Sequence, residues 1–186
     1  MWNVAEQDGN GWVDCRCGSR HWGVHGAAGL LLLRDPAPAA PDPTAADLAV
    51  MGAIHREVLL QLRAAWTHQG GSWGLPGGAR DSHEDPVTAA LREASEEAGV
   101  SPGAVTVIGQ LTGVDHGDWS YVYVIALASR TLSVAARTTE SDDLRWVALD
   151  AVQGLPLHPA FGIAWRRLLP DLLPGPPSGG LGVGTG

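Results

Sequence analysis

Three glutamates stand close together in the chain at a spacing that suits metal chemistry. Glu93, Glu96 and Glu97 occupy positions i, i+3 and i+4, so a helix would place their carboxylates on one face. Each like-charged pair at that spacing weakens an isolated helix by about 0.2–0.5 kcal/mol, and a hard cation such as Mg²⁺ removes the repulsion. Arg92 stands beside the cluster and can pair with Glu84 across the helix start. The alternative is an acidic helix face that is exposed to solvent.

A glycine-rich loop followed by a helix is predicted to position these glutamates. The loop is WGLPGG at 73–78, because Gly and Pro favour a tight, irregular path. Ser82, with Asp85 three residues later, forms a pattern like a capping box, and Pro86 suits a first helical turn. Gly99 is placed to end the helix in a left-handed conformation. Alanines that can pack closely on a sheet recur every four residues along this helix, at Ala90, Ala94 and Ala98.

The segment 78–100 resembles the signature of the Nudix hydrolases, G-x5-E-x7-RE-U-x-EE-x-G-U with U aliphatic, at every position. The resemblance implies an α/β fold, the Nudix α/β/α sandwich with a mixed central sheet. It also implies hydrolysis of a nucleoside diphosphate linked to another group, with Mg²⁺, or Mn²⁺ in its place, as cofactor. Glu84 and Arg92 match the residues that support the catalytic glutamates of the family.

The metal ligands that the resemblance implies are carried over residue by residue. Glu96 and Glu97 match the principal ligands, and Glu93 matches a ligand or the base that activates water. The Gly77 carbonyl matches a further ligand. Many members of the family use one more acidic residue from a late loop as ligand or base, and Glu140 is our choice for that residue. The alternative for Glu140 is a solvated loop acid.

The predicted substrate contacts lie outside the three glutamates. The LLQLRA stretch that contains Arg63 resembles the strand before the signature in MutT-type members, where an arginine reaches the substrate phosphate. The planar guanidinium suits phosphate because it can donate two hydrogen bonds. Aromatic residues after the signature could stack on a base, which is worth about 1–3 kcal/mol. The alternatives are a surface arginine and structural aromatics. The predicted set is Arg63, Trp73, Gly78, Trp119 and Tyr121.

Apolar and alternating patterns predict the strands that must carry this site. The predicted strands cover 30–33, 57–66, 72–75, 105–114, 119–127 and 144–149, with a short additional strand at 132–134. The turn residues DHGD predict a hairpin between the strands at 105–114 and 119–127. Asp150 is predicted to cap a short turn. Pro159 is predicted to begin a last helix, and its apolar face consists of Phe161, Trp165 and Leu168.

Length and composition predict one globular domain in 186 residues. We divide the chain into an N-terminal extension at 1–20, a hydrolase domain at 21–170 with an insertion at 35–56, and a Pro/Gly-rich tail at 171–186. The net charge of −8 argues against binding polymeric nucleic acid. No apolar stretch is long enough to span a membrane, and the N-terminus does not resemble a signal peptide, so we expect a cytoplasmic protein. The insertion could dock on a partner chain, and a homodimer stays open as the oligomeric state.

Two cysteines raise a separate question about metal. Cys15 and Cys17 form a C-x-C pair with His21 and His25 nearby, and thiolates and imidazoles are the ligands that Zn²⁺ prefers. The spacing matches no common zinc pattern. The alternative is two reduced thiols in an N-terminal turn or hairpin.

A wider resemblance to MutT-like Nudix proteins from high-GC bacteria spans residues 21–168. It makes a small-molecule nucleotide the expected partner and 8-oxo-dGTP or its diphosphate the first substrate hypothesis. The proline that marks ADP-ribose members, about sixteen residues past the signature, is missing, and Asp115 and its neighbours occupy that region. ADP-ribose, nucleotide sugars and dinucleoside polyphosphates stay open as substrates, as does a non-catalytic nucleotide-sensing module.

Overall fold

Seven strands form one mixed sheet in the part of the chain that the structure, a computed structural model, describes, which is residues 7–35 and 56–172. The strands are β1 (Trp12–Asp14), β2 (Arg20–Trp22), β3 (Ala27–Arg34), β4 (Glu57–Arg63), β5 (Trp73–Gly74), β6 (Gly77–Ala79), β7 (Val105–Asp115), β8 (Ser120–Ala128) and β9 (Ser141–Ala148). The helices are α1 (Pro86–Ala98) and α2 (Pro159–Leu172), and 3₁₀ turns cover Pro102–Ala104 and Val152–Gly154.

The sheet is organised around β3, the most deeply buried strand. The strand order is β5-β4-β3-β8-β7, with β6 also paired to β3 and β9 also paired to β4. Strands β3 and β8 run parallel, whereas the other pairs are antiparallel. The leucines at 30–33 are at most 1% exposed, because both faces of β3 are covered. The predicted buried strand is therefore confirmed.

One helix covers each face of the sheet. Leu31 and Leu33 pack in the same cluster as α2, with Trp165 fully buried at its centre. Leu30 and Leu32 point to the opposite face and pack with α1 through its alanines. The side chains of β3 alternate between the two faces and therefore pack in two separate hydrophobic cores. The predicted α/β sandwich, the alanine face of α1 and the apolar face of α2 are all confirmed.

The two ends of α1 are fixed by different residues. The chain enters the helix at Asp85, whose carboxylate accepts a hydrogen bond from the Thr88 N–H at 2.7 Å. The predicted capping box with Ser82 as the cap is wrong, because Asp85 itself directly precedes Pro86 with an extended backbone. Gly99 ends the helix with φ of 68°, as predicted.

Some strand ends differ from the prediction. Strand β4 ends at Arg63, three residues early, because the chain turns at Ala64 and pairs there with the start of β9. The 132–134 segment is a loop and not a strand. Asp150 caps nothing: the turn begins after Ala151 without a side-chain cap. The β7–β8 hairpin is confirmed.

The N-terminal residues form a second, two-stranded sheet from β1 and β2. The predicted boundary between residues 20 and 21 falls inside β2. Most of the predicted insertion, 36–55, and nearly all of the predicted tail, 173–186, lie outside the described residues. Within the described part, neither helix is both long and apolar enough to cross a membrane.

Replacing Gly99 by Ala tests the helix stop. A side chain at φ of 68° is strained, so we expect Gly99→Ala to lower the free energy of unfolding by about 1–2 kcal/mol. The matched control is Gly103→Ala, because an added Cβ there meets open space. Urea unfolding of both variants measures the effect. Equal midpoints for the two variants would contradict this explanation of the stop.

Candidate active site

The three glutamates of α1 differ in their depth. Glu97 is only 7% exposed, and Glu93 lies at intermediate depth. The side chain of Glu96 is 47% exposed, and its carboxylate lies 3.5 Å from Arg92 Nη1. The helix therefore presents one buried, one half-buried and one exposed carboxylate. Their oxygens do not all lie within 4.8 Å of one another, so at least one of the three side chains must move for all three to share an ion.

Glu97 is the deepest acid of this group and faces the glycine loop. Its Oε2 accepts a hydrogen bond from the Gly77 N–H at 2.9 Å. Burial raises the pKa of Glu97 to about 7, and the neighbouring charge of Glu93 adds to the effect. Burial likewise raises the pKa of Glu93. Two carboxylates are thus held close together in a place where their charges are poorly solvated.

Arg92 partly balances these charges. Its Nε and Nη2 donate to the two oxygens of Glu84 at 2.7 and 2.9 Å, and its Nη1 donates to Glu93 at 2.9 Å. Its Nη2 also donates to the Ala79 carbonyl at 3.0 Å, which ties α1 to β6. The predicted pairing of Arg92 with Glu84 is confirmed. The guanidinium therefore fixes the position of Glu93 relative to the glycine loop.

The glycines of β6 allow this loop to approach both the sheet and the glutamates. A Cβ on Gly78 would lie 2.7 Å from the Glu93 carboxyl carbon, and a Cβ on Gly77 would lie 2.4 Å from the Ala28 carbonyl oxygen. At Gly77 the added Cβ would meet backbone atoms, so glycine is required there, whereas at Gly78 a side chain would displace the Glu93 carboxylate. Gly77 and Gly78 therefore lie beside the acids, as the sequence predicts.

Gln61 is a buried polar residue beside Glu97 that we did not predict. It is 2% exposed in the middle of β4, and its proximity helps to hold down the pKa of Glu97. The available signal was one polar side chain within the apolar run VLLQL at 58–62.

Arg63 lies two residues further along the same strand, on the same face as Gln61. Its Nε donates to the His68 carbonyl at 3.1 Å, and its charge opposes the rise in the pKa of Glu97. Burial lowers the pKa of His158, and the charge of Arg63 adds to the effect, so this histidine also lies near. This position suits a role for Arg63 in binding phosphate, and that role stays a prediction.

The aromatic candidates have different surroundings. Trp73 is 4% exposed in the core, beneath the Arg145 guanidinium at 5.0 Å, so its packing gives no support for substrate contact. The Tyr121 hydroxyl lies against Gly29, and burial raises the pKa of this phenol, with smaller contributions from Glu97 and Glu93. Tyr121 therefore lies beside the buried acids.

Trp119 and Glu140 lie at the margins. Trp119 stacks on His21 with ring centres 4.2 Å apart, which covers one face of the indole. Glu140 is exposed, and its backbone carbonyl accepts a hydrogen bond from the Ala64 N–H at 2.8 Å. That bond lies next to Arg63, so the loop runs past the end of β4. The proposed roles of both residues stay predictions.

Comparisons with known proteins agree with this geometry. A family model described as NUDIX domain matches residues 42–170. The Mycobacterium tuberculosis protein named "Putative 8-oxo-dGTP diphosphatase 3" is 49% identical over 166 residues, which are 87% of this chain and 69% of that protein. A Bifidobacterium longum protein, "Nucleoside triphosphate pyrophosphatase/Nudix hydrolase fusion protein", is 40% identical over 165 residues, 88% of this chain and 31% of that protein.

A similar solved structure is that of RenU, a Nudix hydrolase from M. smegmatis. It is 42% identical to this chain, with a TM-score of 0.73, and the match covers 90% of this chain and 99% of that one. The likeness therefore extends over nearly the whole fold and is not confined to the signature.

Replacing Glu84 by Gln tests the buried ion pair. The hydrogen bonds from Arg92 lower the pKa of Glu84 below its ordinary value of 4.5. The stabilisation by the charged form is therefore complete above about pH 4.5 and is lost as the pH falls through the folded pKa. We expect Glu84→Gln to lower the free energy of unfolding at neutral pH by about 1.5–3 kcal/mol, as for a hydrogen bond to a charged group.

The measurement is urea unfolding from about pH 7 to about pH 3, where the difference from the wild type should shrink. Asp142→Asn, at an exposed carboxylate, is the control. A difference that stays constant with pH would show that the charge of Glu84 does not stabilise the fold.

Proposed function

This chain belongs to the Nudix hydrolase family, and within that activity we propose that its substrate is an oxidised purine nucleotide, 8-oxo-dGTP or 8-oxo-dGDP. The observation that supports a diphosphate hydrolase here is the pair of buried Glu97 and half-buried Glu93 beside the glycine loop. Glu97 accepts the Gly77 N–H, and Arg92 donates to Glu93, whose carboxylate lies against Gly78. The purine preference is supported by the name of the M. tuberculosis relative, which is 49% identical. The name of that protein suggests the substrate.

Nudix hydrolases generally use a divalent metal, and we propose Mg²⁺, with Mn²⁺ as a substitute. The residues that would hold it are Glu93, Glu96, Glu97 and the Gly77 carbonyl, because carboxylate and carbonyl oxygens are the ligands that Mg²⁺ prefers. The raised pKa values of Glu93 and Glu97 fit this role, since a cation would relieve the crowding of their charges. When bound, the metal supplies neutralisation of negative charge on the phosphate oxygens.

The side chains of the chain then have separate tasks. We assign to the Glu93 carboxylate the removal of a proton from the attacking water, with Glu140 as the alternative base. The water oxygen forms a bond to phosphorus, the P–O bond of the diphosphate bridge breaks, and the bridging oxygen leaves with the released phosphate group. A triphosphate gives a nucleoside monophosphate and pyrophosphate, and a diphosphate gives the monophosphate and phosphate.

Arg63 and the aromatic residues are assigned to binding. Arg63 would donate hydrogen bonds to a phosphate, since its guanidinium lies at the end of β4 near Glu97. Tyr121 lies beside the acids, where its ring could meet the nucleotide. The face of Trp119 opposite His21 could stack on the base.

The remaining parts of the proposal concern the whole chain. We propose a cytoplasmic protein that acts on free nucleotides, with the hydrolase domain at 21–170 between an extension at 1–20 and a tail at 171–186. A homodimer stays a prediction, which the molecular mass in solution would test.

A substrate panel tests the preferred nucleotide. We expect the kcat/KM for 8-oxo-dGTP to exceed that for dGTP about tenfold or more, because one added hydrogen bond to the base is worth about that factor. The panel also contains 8-oxo-dGDP, ADP-ribose, a nucleotide sugar and a dinucleoside polyphosphate, with products identified by chromatography. Faster turnover of one of the last three would replace the proposed substrate. Binding without any turnover would favour a nucleotide-sensing module.

Replacing Glu97 by Gln tests the role of the buried acid. The amide oxygen can still accept the Gly77 N–H bond, so the fold should persist while a charged oxygen is lost. We expect kcat/KM to fall by about 10²–10³-fold, since charge stabilisation by a bound metal is worth several kcal/mol. The control is Asp150→Asn, at an exposed acid. Wild-type, Mg²⁺-dependent phosphate release by Glu97→Gln would refute the metal assignment.

A further inference from the structure

A second group of metal-ligating side chains lies in the N-terminal hairpin, outside the glutamate site. The thiol sulfurs of Cys15 and Cys17 and a ring nitrogen of His21 all lie within 4.8 Å of one another. Cys17 Sγ is 3.1 Å from His21 Nε2. The turn between β1 and β2 carries the two cysteines, and β2 carries the histidine, so pairing of these short strands gathers the three groups.

A fourth group comes from the β7–β8 connection. Oδ1 of Asp118 lies 3.3 Å from Cys15 Sγ. Oδ2 of the same carboxylate accepts hydrogen bonds from the Arg16 backbone N–H and from its Nε, each at 3.2 Å. Arg16 therefore orients the carboxylate, and the oxygen that it leaves free faces the sulfur. The contact joins residues that are about a hundred positions apart in the chain.

We propose that Cys15, Cys17, His21 and Asp118 bind one Zn²⁺ ion, which fastens the β1–β2 hairpin to the β7–β8 connection. Two thiolates, one imidazole and one carboxylate supply four ligands, the usual number for a structural zinc site. With Zn–S near 2.3 Å and Zn–N or Zn–O near 2.0 Å, tetrahedral geometry sets the two sulfurs about 3.8 Å apart and each sulfur about 3.5 Å from a nitrogen or oxygen ligand. The printed contacts of 3.1 Å between Cys17 and His21 and 3.3 Å between Cys15 and Asp118 are close to these separations. Asp118 lies outside the mutually close group of Cys15, Cys17 and His21, so its carboxylate must move toward Cys17 or His21 to complete the site.

The aromatic neighbours hold the imidazole in place. His21 stacks on Trp119 at 4.2 Å and on His116 at 5.3 Å between ring centres. His25, which the sequence grouped with the cysteines, is exposed and lies outside the cluster. Thiolate ligands favour Zn²⁺ over Mg²⁺, which selects oxygen. Four protein ligands leave no open position, so the role is structural and not catalytic.

Metal analysis of matched variants tests this site. The full chain is stripped with a chelator, supplied with one equivalent of Zn²⁺ in excess Mg²⁺, passed over a desalting column and measured by plasma mass spectrometry. We expect one zinc per wild-type chain and near-complete loss in Cys17→Ser and in His21→Ala. Asp118→Asn should also lower the zinc content, because it removes the charged oxygen of one of the four proposed ligands. His25→Ala, the matched histidine control, should keep the full zinc content.

Cobalt spectra and melting curves keep the result clear if a variant folds poorly. Co²⁺ in the wild type should give a thiolate charge-transfer band that is weaker in Cys17→Ser and unchanged in His25→Ala. Zinc should raise the melting temperature of the wild type and leave that of Cys17→Ser unchanged. The proposal fails if the wild type holds no zinc, if Cys17→Ser and His21→Ala hold as much as the wild type, or if the cysteines form a disulfide.

Discussion

The constraint on which the rest of the structure depends is the burial of two like charges, Glu93 and Glu97, beside each other. Water is largely excluded there, so the pKa values of both carboxylates are raised. The fold tolerates this cost by supplying a backbone N–H from Gly77 to one acid and the Arg92 guanidinium to the other. Arg92 in turn needs Glu84, whose carboxylate takes two of its hydrogen bonds. What looks like a row of charged residues in sequence is therefore one connected electrostatic unit.

The close packing of α1 on the sheet keeps that unit in position. Alanines at 90, 94 and 98 are fully buried, and their small side chains let the helix lie close to β3. A larger residue at these positions would lift the helix and withdraw Glu97 from the Gly77 N–H. The glycines of β6 solve the same problem from the opposite side, because any Cβ on Gly78 would meet the Glu93 carboxylate. Small residues on α1 and on β6 thus let the carboxylates of Glu97 and Glu93 lie against the backbone of the glycine loop.

Local patterns predicted what local physics decides. The buried leucines of β3, the left-handed Gly99 and the pairing of Arg92 with Glu84 follow from spacing, and all three are confirmed. Where distant pairing decides, the patterns failed: β4 stops at Arg63 because it meets Ser141 of β9 there, with a shift in register. The position of Gln61 beside Glu97 was also not predicted, because a polar residue within an apolar strand does not show which side chain of α1 it will face.

Because sequence patterns do not show distant pairing, only part of the cysteine cluster could be predicted from the sequence. Cys15, Cys17 and His21 lie within one short hairpin, so their proximity is a local property. Asp118 reaches them only because β3 and β8 pair in parallel from Ala27 and Tyr121 onward, which brings the start of β8 beside the N-terminal strands. Trp119 follows Asp118 and stacks on His21, while Tyr121 lies two residues further on, beside the buried acids. A cation at the hairpin would therefore fix the residues that directly precede β8, next to the candidate base-binding aromatics Trp119 and Tyr121.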